Sequence, residues 1–196
     1  MVPLYLNFIP LNIYSFWLAS GNILAWMSTI DPGLTVVLQQ QIAVAYGEKD
    51  LTKVKVLIGG GLFYSLIVLI IAIILGLVAA SYLPLLLKID LMSDNDLITK
   101  AFSLATIGTA LMLFSFALKA INSGLQGLII VGIIDNLIAI LSIIVTIILL
   151  YNGFSIMALP ISLVFSGVSY SLSQGIYLFT RVYKEKIGIS FSYKSL

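Results

Sequence analysis

The chain has 196 residues, of which 61% are hydrophobic and only 9% charged, and its formal net charge is +2. A soluble domain carries about a quarter charged residues, so water is not this chain's main solvent, and so small a charge gives nucleic acid no reason to bind. With neither cysteine nor histidine, disulfides, thiolate nucleophiles and the commonest metal ligands are excluded; no metal or other cofactor is expected.

Residues 56–87, 101–118 and 136–180 contain no charge at all. A helix needs about 20 apolar residues to cross a bilayer, so the expected fold is an all-α polytopic membrane protein. About five transmembrane helices form a single domain over residues 1–196. The runs are continuously apolar, whereas strands of a membrane barrel alternate. No signal peptide is expected, because the N-terminus lacks a basic region and a small-residue cleavage site.

The first predicted helix runs from Ile13 to Tyr46, roughly 50 Å. Asp31, Pro32 and Gly33 stand near its middle. A split there would leave a second piece carrying Gln39, Gln40 and Gln41, too short and too polar to cross alone. The expectation is one long helix bent where Pro32 cannot donate to the Ser28 carbonyl. Bends at membrane depth are tolerated against protein or a water-filled cavity, so Asp31 should face the bundle interior. It reads either as the cap of the segment restarting at Pro32 or as an ion or substrate contact.

The second helix is predicted over Val54–Tyr82. Ala72, Gly76 and Ala80 form a ridge of small residues, extended by Gly61 and Ser65, which is a packing surface. The glycines at 59–61 are no phosphate loop, since no Lys-Ser/Thr follows. The third helix, Leu97–Asn122, sets Ser115, Lys119 and Asn122 on one face, and Gln126 with them if the helix reaches so far. The fourth, Leu128–Leu150, buries Asp135 roughly 10 Å deep, with Lys119 or a polar group on a neighbouring helix as its partner. Asn152-Gly153 supplies the turn into the fifth helix, Phe154–Val182. That helix aligns Ser155, Ser162, Ser166, Ser169, Ser173, Tyr177 and Thr180, either as the hydroxyl lining of a cavity or as helix-packing contacts.

Lysine and arginine fix a direction. Eight fall on one side (Lys49, Lys53, Lys55, Lys119, Arg181, Lys184, Lys186 and Lys194) and only Lys88 and Lys100 on the other. The positive-inside rule then puts the N-terminus outside and the C-terminus in the cytoplasm. No nucleophile stands beside a base and no carboxylates pair at a common level, so an enzyme is not expected.

The stretch "IYSFWLASGNILAWMSTIDPGLTVVLQQQIAVAYGEKDLTKV", with Tyr14, Trp17, Asp31, Gly33, Leu34, Tyr46, Gly47 and Asp50, resembles bacterial polysaccharide flippases. It looks like their second membrane helix and following cytoplasmic loop. These belong to the multidrug/oligosaccharidyl-lipid/polysaccharide exporter superfamily. "SGLQG" at 123–127 resembles the family's loop between its fourth and fifth helices, with Gly127 where the family often has a basic residue. The resemblance implies most of one N-terminal lobe of a V-shaped, two-lobed carrier in the bacterial inner membrane. Its substrate would be undecaprenyl-diphosphate-linked oligosaccharide, and its partners the lipid bilayer and a second lobe or further copies of the chain. Asp31, Asp135, Lys119, Asn122, Gln126, Ser162, Ser166, Ser169, Ser173 and Tyr177 would line the cavity. A drug or cation antiporter of the same superfamily, or a truncated subunit that does not transport, are the competing expectations.

Overall fold

The computed structural model describes residues 2–15, 17–19, 34–86 and 94–190. Among the described residues the chain is helical, without strands. It opens with α1 (Val2–Phe8), followed by helical residues 11–15 and 17–19. Then come α2 (Leu34–Gly47), α3 (Leu51–Leu86), α4 (Asp94–Gly124) and α5 (Leu128–Tyr151). A 3-10 turn at Ser155–Met157 leads into α6 (Ala158–Lys184).

Among the described residues four stretches are long and apolar enough to span a bilayer: Leu51–Leu83, Asp96–Gly124, Leu128–Tyr151 and Ser155–Lys184. They coincide with the second to fifth predicted helices, with ends displaced by a few residues. Of the first predicted helix, residues 13–15 and 17–19 and α2 are described as helical. Asp31, Pro32 and Gly33, with the bend expected at them, lie outside the described residues.

Burial ranks the helices. The most apolar window of α4 is 56% buried inside the protein and that of α5 only 11%, so α4 is the central post and α5 a peripheral helix. On α5, Ile129, Leu137, Ile140 and Ile148 are exposed, and on α3, Ile70, Ile74, Leu75 and Val78. Lipid tails are as apolar as these side chains, so their exposure carries no hydrophobic penalty in a bilayer. What holds such helices together is close packing. At the α4–α6 crossing a Cβ built on Gly167 would lie 2.7 Å from the Gly108 carbonyl oxygen, and one on Gly108 would lie 2.8 Å from the backbone of Leu163 and Val164. Only glycine lets the two backbones meet. The predicted small-residue ridge of α3 packs inward too: Ala72 and Ala80 are buried, and Gly76 abuts Thr106 of α4.

Four helices end in the same way. Gly127 N–H donates to the Asn122 carbonyl, Phe154 N–H to Leu149, Ile187 N–H to Val182 and Asp50 N–H to Ala45. These six-to-one bonds close Schellman turns with a left-handed residue just past the helix. Gly153 fills that position with φ +80°, as the Asn152-Gly153 pair predicts, whereas Gln126 (φ 65°), Lys186 (φ 54°) and Lys49 (φ 59°) fill the others. The first turn ends α4 at Gly124, so Gln126 leaves the face that carries Lys119 and Asn122 and stands exposed.

The turns also gather charge. Ser190 N–H donates to the Lys55 carbonyl, and Tyr46 of α2 bonds Glu185 just past α6. Lys49, Lys53, Lys55, Arg181, Lys184 and Lys186 therefore share one end of the bundle. Lys100, paired with Asp96, sits at the opposite end.

Candidate functional site

Three helices converge on one polar network inside the apolar bundle. From α4, Lys119 reaches Asp135 of α5 with 3.0 Å between Nζ and Oδ1. The Gln174 amide on α6 donates to the same oxygen at 3.4 Å. Asn122, one helical turn from Lys119, donates from Nδ2 to both the backbone oxygen and Oε1 of Gln174, each at 2.9 Å. Tyr170, one turn before Gln174, donates to the Asp135 carbonyl at 3.3 Å and lays its ring 4.1 Å from the Lys119 ammonium. Phe116 offers a second face at 5.6 Å.

Elementary physics explains the convergence. An isolated charge in the hydrocarbon region costs several kcal/mol, so ionisable residues there pair with one another inside the bundle. The spacing 116, 119, 122/123 on α4 and 170, 174 on α6 keeps each set on one face. Asn122 and Gln174 are fully buried, and two acceptors facing Asn122 Nδ2 dictate its amide orientation. Its own Oδ1 then has no hydrogen-bond partner among the described residues. A buried acceptor left unsatisfied costs about 1–3 kcal/mol.

The network opens on one side. A cavity of about 210 Å³ between α2 and α4 is lined by Thr35, Val36, Gln39, Phe116, Lys119 and Ser123. Lys119 thus forms part of a polar wall on one flank and holds Asp135 on the other. The Asp135 side chain keeps 35% of its surface and that of Lys119 19%. Chemically the arrangement offers one cation, steered by a carboxylate and aromatic faces, at the edge of a small polar space. Among the described residues no cluster of His, Cys, Asp or Glu could hold a metal ion.

Sequence-predicted site residues divide accordingly. Lys119 meets Asp135, and Asn122, on the same face of α4 as Lys119, joins them through Gln174. The Ser162 and Ser166 hydroxyls bond α5. Thr146 donates to Ser162 at 2.6 Å, Ser166 donates to Ser142 Oγ at 2.7 Å, and Ser162 donates to the Ser142 carbonyl at 3.0 Å. Ser169 and Ser173 are half-buried on a flank of α6, and Tyr177 packs against Gly127. Asp31, Pro32 and Gly33 lie outside the described residues. Gln174 is the site residue that sequence reasoning missed. Its signal was its position one turn from Tyr170 and two turns from Ser166, since the buried line of α6 runs 162, 166, 170, 174, 178, 182.

A second cluster clasps the lysine-rich end. Arg181 bonds Glu185 at 2.6 Å, donates to the Leu125 carbonyl left over at the end of α4, and reaches Tyr46 Oη at 3.4 Å, while Tyr46 donates to Glu185 at 3.0 Å. It joins the ends of α2, α4 and α6.

Fold and site together define an all-α polytopic membrane protein with a charged network among three of its helices. Comparison with protein-family models, with curated proteins and with solved structures finds no match.

Proposed function

We propose that this chain is a transport lobe that helps flip undecaprenyl-diphosphate-linked oligosaccharide across the bacterial cytoplasmic membrane during surface polysaccharide biosynthesis. It acts as a piece or half of a two-lobed flippase. The observation that carries this reading is Lys119, a cation inside the helix bundle beside a small cavity of mixed polar and apolar lining, held by Asp135 and Tyr170. A diphosphate head group is anionic and large, and Lys119 is the charge that can meet it within the bundle. Gln39, Thr35 and Ser123 supply donors and acceptors to sugar hydroxyls. The lopsided distribution of lysine and arginine supports an outside N-terminus and a cytoplasmic C-terminus. Alternating access then requires a second lobe, either from another polypeptide or from a second copy.

One observation favours a competing reading. Asp135 is a partly exposed carboxylate beside an aromatic face, an arrangement that also suits a cationic aromatic substrate. A drug or cation antiporter would use it by exchanging Lys119 for the substrate.

Complementation separates these readings. Expressed in a flippase-deficient strain, the chain should restore surface polymer, and Lys119→Ala at equal membrane abundance should not. Polymer restored equally by Lys119→Ala would remove the proposed role. Resistance to cationic drugs without polymer would favour the antiporter, and neither phenotype would mean either that the second lobe belongs to another polypeptide or that the chain only folds and assembles.

A further inference from the structure

The outer face of α6 carries a groove that takes no part in the Lys119 network. One hollow of about 320 Å³ is lined by Ser171, Leu172, Gly175, Ile176, Phe179 and Thr180. A second, of about 360 Å³, starts from the same Phe179 and passes Val182 and Tyr183 to Lys186 and Gly188. Through Phe179 they form one groove along the helix from Ser171 to Lys186, roughly 22 Å. That is close to half of a bilayer of about 40–45 Å including its headgroup regions.

The groove has an apolar floor and a cationic mouth. The hydroxyls along its floor are spent on backbone, Ser171 donating to the Leu111 carbonyl and Thr180 to Ile176, and the remaining one, on Tyr183, stands toward the lysine end. No acidic residue lines it. At the mouth Lys184 and Lys186 are exposed, and Lys55 lies against Gly188. Glu185, the nearest carboxylate, is bound to Arg181 and Tyr46. Lys186 itself occupies the left-handed position of the helix end, where glycine is usual because a Cβ is disfavoured.

We propose that this groove holds an anionic phospholipid of the surrounding bilayer. One acyl chain lies over Gly175 and Phe179, and the phosphate meets Lys186 with Lys184 beside it. Charge complementarity selects this occupant over a second copy, because a symmetric α6–α6 contact would set these lysines against their own counterparts. The inference is independent of the transport reading, since it concerns the opposite side of α6 from Gln174.

Native mass spectrometry of the full chain, released from detergent with phosphatidylglycerol or phosphatidylcholine of matched acyl chains, tests it. One lysine near a membrane surface is worth about a fivefold preference for anionic lipid, so wild type should retain phosphatidylglycerol at least about fivefold better. Lys186→Gly keeps the turn and should bring the two lipids near parity. Gly175→Leu, placed where a Cβ meets nothing within 4 Å, should weaken both, with circular dichroism checking that each variant is folded. Millimolar inorganic phosphate should displace neither. Equal retention of both lipids by wild type, an unchanged preference in Lys186→Gly, unchanged binding in folded Gly175→Leu, displacement by free phosphate, or a lipid-free dimer would each overturn the proposal.

Discussion

Replacing Asp135 with asparagine removes one charge while keeping an acceptor for the Gln174 amide, so it isolates the ion pair from the hydrogen bond. Lys119 then rests on the Tyr170 and Phe116 faces alone. Removing one partner of a fully buried pair costs about 3–5 kcal/mol, whereas an exposed pair contributes at most about 1 kcal/mol. The side chains here are 19% and 35% exposed, between these limits, and Asp135→Asn should cost about 2 kcal/mol. Lys119→Met should cost a similar amount, because it strands the carboxylate. The double variant Lys119→Met/Asp135→Asn should cost clearly less than the sum of the single losses, giving a coupling energy of about 1–2 kcal/mol. Unfolding in mixed micelles with increasing dodecyl sulfate, followed by circular dichroism, measures all four proteins. Strictly additive single losses, or an Asp135→Asn protein as stable as wild type, would refute a coupled pair of charges in the bundle.

Gly167→Ala sets a Cβ 2.7 Å from the Gly108 carbonyl, where backbone cannot turn aside. Overpacking of about 1–3 kcal/mol should outweigh the helix gain of about 1 kcal/mol, lowering the unfolding midpoint. Gly132→Ala meets nothing within 4 Å and should raise it. Ser162→Ala removes the bonds to Ser142 and Thr146 and should cost about 0.6–1.7 kcal/mol, the range for hydrogen bonds between membrane helices. Lost polymer export with stability unchanged would instead give Ser162 a transport role. Arg181→Ala should speed amide exchange in residues 125–127 and 185–187 roughly tenfold or more, because charged hydrogen bonds at that clasp contribute about 1.5–3 kcal/mol. Unchanged exchange there would show the clasp to be idle.

Much of this fold was legible because hydrocarbon is an unforgiving solvent. Three uncharged runs, the longest divided by the Asn152-Gly153 turn, located the four spans, and the high cost of a lone charge at membrane depth left Asp135 to pair with Lys119 or with a polar group on a neighbouring helix. The hydroxyl stripe of α6 was harder to read. Alternating steps of three and four from Ser162 lead to Ser169, Ser173 and Tyr177, whereas successive steps of four lead to Tyr170, Gln174 and Leu178. Both lines start at Ser162 and Ser166, and residue type favoured the first. The packed line is the second, the i±4 ridge along which helices interdigitate when they cross at an angle. Periodicity cannot reveal that angle, because it is set by partners such as Gly108, which belong to another helix. For the same reason Gln174 went unread in the sequence, though it bonds both Asn122 and Asp135.

Binding of the lipid-linked substrate tests the central claim most directly, that Lys119 meets an anionic head group inside this bundle. The measurement is equilibrium binding of radiolabelled undecaprenyl-diphosphate-linked oligosaccharide to the purified chain, with Lys119→Gln and Asp135→Asn compared at matched folded fraction. Wild type should bind, Lys119→Gln should lose about tenfold or more, worth about 1.4 kcal/mol, and Asp135→Asn should bind at least as well because it frees the ammonium. Equal binding by wild type and Lys119→Gln, or loss in both variants alike, would contradict the account and leave the network a structural ion pair.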